Sequence, residues 1–333
     1  MLNGYVAEQG AVVKLRGERL LVSLSGALID ELRIGELGTL VIIGNVTLTT
    51  PAIAALLENQ VPVAFLSLGG QFRGRLEPPL STSVAVRRAQ FLALEDADFA
   101  LALARQSVAA KLLNCRALLL RSRRRRQLPE AGAAPTVLRT SAELASHARS
   151  VEEVRGIEGR ASAAYFEAFG ALLADPWEFN GRSRRPPRDE PNALLSLGYT
   201  LLLTRVMAGV QIAGLNAGAG FLHTSHHGSP ALALDLMEEF RSTIVDQVVL
   251  QALNGGIVAP EHFETTEKLP HALTRAGFER FVGEFERRLQ EGFTPKGRST
   301  PTSYGDFIWS QALALRRAFE NHDPDEYQPH VRR

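Results

Sequence analysis

The sequence predicts an α+β multidomain protein: a small N-terminal β-rich domain over residues 1–80, then a larger all-α domain over residues 83–333. Three observations carry this. The chain has 333 residues, longer than one ordinary domain. Up to Pro78-Pro79, short runs rich in Val, Ile and Leu are punctuated by glycine, the pattern of short strands. Beyond residue 83, apolar residues recur at three- and four-residue spacing, the period of packed helices.

In the first part, AVVKL and ERLLVSL form a hairpin about Arg16-Gly17, and GTLVIIGNVTL turns at Gly44-Asn45. PAIAALLEN reads as a short helix entered through Thr49-Thr50-Pro51, since proline suits the first helical position. VPVAFLSL, Gly69-Gly70 and QFRGRL close the domain. Helical periodicity then covers 84–126, 141–175, 192–215, 231–253, 273–292 and 303–320. Two connections stand out: a Pro/Ala/Gly linker from Gln127 to Pro135, and a basic, proline-containing loop from Glu178 to Pro191.

Composition narrows the class. Hydrophobic residues make up 45% and charged residues 22%, which argues against extensive disorder. Cys115 is the only cysteine, so no disulfide scaffold is possible; within KLLNCRALLL it reads as a small buried hydrophobe. Lys plus Arg number 37 against 36 Asp plus Glu. That excludes a globally basic nucleic-acid binder and leaves room for local patches. All the basic residues but Lys14, Lys111, Lys268 and Lys296 are arginine, through base composition or through arginine's bidentate fit to phosphate. The opening MLNGYVAEQG has neither a basic nor a long apolar region, so no signal peptide is read there. Arg205 divides the uncharged stretch from Ala193 to Leu222 into runs too short to span a membrane. A buried core helix and a cytoplasmic protein without membrane association are expected.

Four groups of residues could carry chemistry. Asp235 and Glu238 in ALALDLMEEFR lie three apart, on one helix face. Close carboxylates repel unless a proton or cation compensates, so they point either to a shared divalent metal or to a solvated stripe answered by arginine. Removing an acid from such repulsion is expected to stabilise the metal-free protein. Just upstream, GFLHTSHH places His223, His226 and His227 within five positions, either as a His-rich surface loop or as part of a mixed His/carboxylate site. His223 follows the apolar lead-in Gly220-Phe221-Leu222, so it is the one expected to be fixed against the core, as a ligand must be. In VEEVRGIEGRASAAYFEAF, Glu158 sits beside an apolar face and small residues that permit close helix packing; it either has a buried partner or pairs with Arg155 or Arg160 in solvent. Arginines cluster at 121 and 123–126, and again at Arg182, Arg184, Arg185 and Arg188, as solvated charge or as phosphate contacts.

Taken together, YVAEQGAVVKLRGERLLV, GNVTLTTPAIAALLENQVPVAFLSLGGQFRGRLEP, RGIEGRASAAYF, RRPPRDEPNALLSLGYTLL and GFLHTSHHGSPALALDLMEEFR resemble the CRISPR-associated integrase of the spacer-acquisition complex. The resemblance runs from end to end, and the last three segments in this order are highly specific. It implies a metal-dependent DNA integrase and endonuclease that inserts short foreign DNA fragments (spacers) into the repeats of a CRISPR array by 3′-hydroxyl transesterification. It also implies a homodimer built on the β-rich domains, and a small ferredoxin-like partner subunit that bridges two dimers into a heterohexamer. The family's metal ligands, for Mg²⁺ or Mn²⁺, fall on Glu158, His223, Asp235 and Glu238; His226 and His227 do not match its pattern. Arg182, Arg184, Arg185 and Arg188 would then line a DNA path. The alternatives are a non-catalytic DNA-binding scaffold subunit and a metal-dependent small-molecule hydrolase built on the histidines and Asp235.

Overall fold

The computed structural model describes residues 2–68, 70, 72–78, 84–126, 132–184, 186–223, 229–266, 270–297 and 299–332. The chain divides into two compact units, Met1–Ser81 and Thr82–Arg333.

The first unit holds β1 (Leu2–Val6), β2 (Val12–Arg16), β3 (Arg19–Leu24), β4 (Ala27–Arg33), β5 (Leu37–Ile43), β6 (Thr47–Leu48), α1 (Thr50–Glu58), β7 (Val63–Leu66) and β8 (Phe72–Leu76). They form two four-stranded sheets, ordered β1-β5-β7-β8 and β4-β3-β2-β6. The expected hairpin is β2–β3, with Arg16 opposite Arg19. Proline stands in the first turn of α1, with Thr49 as its N-cap. Gly44 turns with φ at 77°, a conformation glycine adopts without strain. That turn does not make a hairpin: β5 pairs with β1 and β7, whereas β6 joins β2 in the other sheet. Two strands escape sequence reading. β1 contains Asn3-Gly4, ordinarily a turn signal, and β4 is almost wholly exposed, so it shows no alternation of apolar and polar residues. Leu20, Val22, Leu40, Ile42 and Leu56 are buried in the core of this unit.

The second unit is helical: α2 (Val84–Glu95), α3 (Ala97–Arg126), α4 (Ala134–Ser146), α5 (Val151–Gly170), α6 (Glu190–Ile212), α7 (Ala231–Met237), α8 (Gln247–Asn254), α9 (Arg275–Gln290) and α10 (Tyr304–Asn321). The periodic stretch 84–126 breaks at Asp96, whose carboxylate accepts the N–H groups of Asp98 and Phe99 at 2.9 and 3.3 Å. The expected linker ends early, because α4 starts at Ala134 with Pro135 in its first turn. Ser150 caps α5 through the Glu153 N–H, and Asp189 caps α6 through the Asn192 N–H. By length and composition α6 could cross a membrane, yet 72% of its apolar window is buried inside the fold. Arg205 on α6 is itself buried, its guanidinium 4.6 Å from the Trp309 ring centre. Between α7 and α8 the helix does not stop. It tightens to a 3₁₀ turn at Glu238–Phe240 and then widens to a π turn at Arg241–Asp246, an irregularity that recurs at functional sites.

Candidate metal centre

A cleft of about 1030 Å³ opens among α3, α5, α6 and the irregular turns after α7, and Lys111, Glu158, His223, Glu238, Arg241 and Asp246 line it. Three of the four expected ligands therefore face one space. Gly159 also lines it, and a methyl group there would meet nothing within 4 Å. The small residues of α5 divide: Gly159, Ser162 and Ala163 line the cleft, whereas Ala161 is fully buried where α5 packs on its neighbours.

Asp235 is at the site in a different capacity. It is completely buried. Its Oδ2 accepts the N–H groups of Phe221 and Leu222 at 2.6 and 2.9 Å, and its Oδ1 accepts the His223 N–H at 2.8 Å. The His223 Nδ1 lies 2.6 Å from the same Oδ1. A carboxylate occupied by three amides and an imidazole holds the His223 segment in place. Of the four expected ligands, Asp235 is the one that does not line the cleft; its carboxylate is turned to the His223 segment. On the far side, Arg155 Nε donates to the Leu222 carbonyl at 2.5 Å. Gly220 is required by the same arrangement, because a Cβ there would stand 2.5 Å from Asp235 Oδ2 and 2.8 Å from the Ala231 backbone. Phe221 and Leu222 are buried, as their apolar character suggests. The ring is thereby turned so that Nε2 faces the cleft, 3.8 Å from Glu238 Oε1.

Glu158 and Glu238 share a cation. Lys111 Nζ donates to Glu158 Oε1 and lies 2.7 Å from Glu238 Oε2. Ser162 Oγ also donates to Glu158, at 2.8 Å, and Arg241 Nε donates to Glu238 Oε1 at 2.9 Å. Burial works to raise both carboxyl pKa values, but the surrounding cations win. Lys111 brings Glu158 below its ordinary value, and Arg241 with Lys111 brings Glu238 down to about 2. Both carboxylates are thus ionised at neutral pH. Among the described residues no three His, Cys, Asp or Glu side chains stand at ligand distance from a common point; the Lys111 ammonium lies between the two glutamates instead.

Sequence reading missed Lys111, Arg241 and a buried group beneath them. Asp246 accepts the hydroxyls of Tyr165 and Tyr199, each at 2.6 Å, and the Arg241 and Arg182 guanidinium groups lie 4.9 and 5.5 Å from the Tyr199 ring centre. The π turn permits this: bonding five residues back widens the coil, so Asp246 returns to the side that carries Arg241. Burial pushes the Asp246 carboxyl up to about 6 even though both tyrosines and Arg241 favour its charged form. Its folded pKa exceeds the ordinary 3.8. Stability is therefore fully present below about pH 4 and is lost as pH rises through about 6, by about 3 kcal/mol. Asp246→Asn, which keeps one acceptor and can donate to the second tyrosine, is expected to be more stable than the parent at pH 8 and to lose that advantage at pH 4. Urea midpoints at the two pH values check it; an advantage that does not change with pH would show that Asp246 carries no such penalty.

The expected DNA-contacting arginines separate. Arg182 donates to Asn192 Oδ1 at 2.8 Å and to Ser196 Oγ at 3.0 Å; it braces the loop onto α6, is half-buried and lines the cleft. Arg184 and Arg188 are exposed, and Arg184 lines the cleft. Arg185, His226 and His227 lie outside the described residues.

A strand-rich unit followed by a helical unit is a fold that this chain shares with solved casposase and Cas1 structures. A casposase bound to integration product superposes with a TM-score of 0.86 at 24% identity, covering 97% of this chain and 91% of its own. A chain of a Cas6-RT-Cas1–Cas2 complex gives a TM-score of 0.85 at 25% identity, over 98% of this chain and 36% of the other. The profile of the family described as "CRISPR associated protein Cas1" matches residues 4–287, and the chain belongs to that family. CRISPR-associated endonuclease Cas1 1 of Thermus thermophilus is 42% identical over 315 residues, 94% of this chain and 95% of the relative.

Proposed function

We propose that this protein is a metal-dependent DNA integrase and endonuclease that inserts short foreign DNA fragments into a CRISPR array. The carrying observation is the convergence of Glu158, Glu238 and the Nε2 of a pinned His223 on one arginine-flanked cleft. The residues fit a hard divalent cation. Glu238 is buried and, among the described residues, its Oε2 is answered by the Lys111 ammonium at 2.7 Å. Two ionised carboxylates with one imidazole suit Mg²⁺ or Mn²⁺. Glu158, His223 and Glu238 would hold the ion, with Asp235 keeping the imidazole oriented. Bound there, it would make a 3′-hydroxyl more acidic and neutralise charge on a phosphodiester. Lys111 and Arg241 keep the two carboxylates ionised and supply positive charge beside a phosphate. Arg184 offers a phosphate contact at the cleft, and Arg188 is exposed further along the same loop.

The Thermus thermophilus relative is named as an endonuclease, and the Cas1–Cas2 complex among the solved structures supports a partner subunit. The reading includes a homodimer through the β-rich unit, a small ferredoxin-like partner completing a heterohexamer, and work in the cytoplasm on spacer precursor and repeat DNA. The test is strand transfer of a labelled 3′-hydroxyl oligonucleotide into a supercoiled, repeat-containing plasmid. Joined product is expected with Mn²⁺ and not with EDTA, and His223→Ala is expected to lose it. Transfer undiminished by EDTA would overturn the metal dependence, and hydrolysis of small esters in place of transfer would favour the small-molecule hydrolase.

A further inference from the structure

A second basic cavity, of about 540 Å³, lies at the C-terminal end of α3. Six arginines line it: Arg121, Arg124 and Arg125 from α3, Arg287 and Arg288 from α9, and Arg332 from the C-terminal segment. Three are held in place. Arg287 Nε donates to Glu284 at 2.9 Å, Arg288 donates to the Thr243 carbonyl and to Glu291, and the Arg332 backbone N–H donates to Asn114 Oδ1 at 2.7 Å. The other three are exposed and, among the described residues, make no hydrogen bond or ion pair. Two carboxylates thus answer six cations in a chain whose net charge is only +1. Burial first, and then the charges of Arg288 and Arg121, depress the Arg332 guanidinium pKa despite nearby Tyr304, so the cations sense one another. An anion would relieve that repulsion.

The geometry of α3 says which anion. Lys111 in the catalytic cleft and Arg125 in this cavity are fourteen residues apart on one helix. That is nearly four turns, so both lie on the same face, separated by about 21 Å at roughly 1.5 Å per residue. A nucleic-acid strand advances about 3.4 Å per nucleotide along a B-form axis. About six nucleotides would therefore connect a phosphate at Glu158 and Glu238 to one at Arg125. The exposed cations form a row at 121, 124 and 125 rather than a closed cage, which suits a polymer backbone better than a free ion.

We propose that this arginine cavity is a backbone-binding subsite that grips DNA about six nucleotides from the reacting phosphate. The inference rests on the DNA-joining reading above and extends it to a surface no catalytic residue touches. The test uses the full chain and a fluorescein-labelled duplex of unrelated sequence, with anisotropy measured between about 50 and 200 mM salt. In Arg121→Ala/Arg124→Ala/Arg125→Ala the slope of log K against log salt is expected to flatten by about 2 to 3, with lysine at the three positions restoring it. Melting behaviour should be unchanged, since the three side chains are exposed. An unchanged slope in this variant, alongside a flattened one in Arg184→Ala/Arg188→Ala, would overturn the subsite and leave the integrase reading standing. Absence of salt-dependent binding in the parent would overturn both. Loss of tripolyphosphate or polyglutamate binding with duplex binding intact would reassign the cavity to a free anion or an acidic protein.

Discussion

Asp235→Asn is expected to lose about 10- to 100-fold in strand transfer and to unfold about 2–4 kcal/mol more easily, even in EDTA. The carboxylate gathers three backbone N–H groups and the His223 ring. An amide oxygen can serve one side of that cluster. On the other side its NH₂ would face donors, and each stranded buried donor costs about 1–3 kcal/mol. The stabilisation expected from relieved repulsion between acids does not apply, because Asp235 is already neutralised by donors. Urea unfolding in EDTA separates anchor from ligand, since a pure ligand contributes nothing to stability without metal. A variant as stable as the parent under EDTA, and rescued by excess Mn²⁺, would return Asp235 to the ligand set.

Glu158 and His223 were legible because their signals are local. A glutamate in an apolar, small-residue helix and a histidine behind Gly220-Phe221-Leu222 each state in a few residues that they are held against the interior. Lys111 has no such signal. It becomes meaningful only when α3 is packed beside α5 and the turn after α7, which joins it to partners 47 and 127 positions away. The hint available was a lysine, rare in this chain, in the mostly apolar run KLLNCRALLL. Asp246 was invisible for another reason. Its place depends on a π turn, and strict helical periodicity would rotate it off the cleft. The same limit divided the β-rich unit, where adjacent strands β5 and β6 went to different sheets although their sequence reads as one turn.

The arginine readings divide along burial. Arg182 lines the cleft with its guanidinium already donating to Asn192 and Ser196, while the α3 arginines, equally consistent with dipole compensation, remain exposed around a cavity. Charge alone cannot separate these cases. What separates them is whether an acceptor of the protein's own lies within reach.

Glu238→Ala should be the most damaging single change. Glu238 is the residue on which the cations of the cleft converge, Lys111 at 2.7 Å and Arg241 at 2.9 Å, and the His223 Nε2 lies 3.8 Å from it. Alanine would leave Lys111 with only Glu158 and would strand the buried side of Arg241. Breaking a buried pair in this way costs about 3–5 kcal/mol. It would also remove a carboxylate proposed to hold the ion, and several kcal/mol of transition-state stabilisation corresponds to a loss of about a thousandfold in strand transfer. Glu238→Asp tells folding from chemistry. It keeps the charge one methylene shorter, so it should recover most of the stability and part of the transfer. Measured at saturating Mn²⁺ with stability matched by temperature, a Glu238→Ala variant within a few-fold of the parent would remove Glu238 from the metal centre and leave it a partner of Lys111 and Arg241 alone.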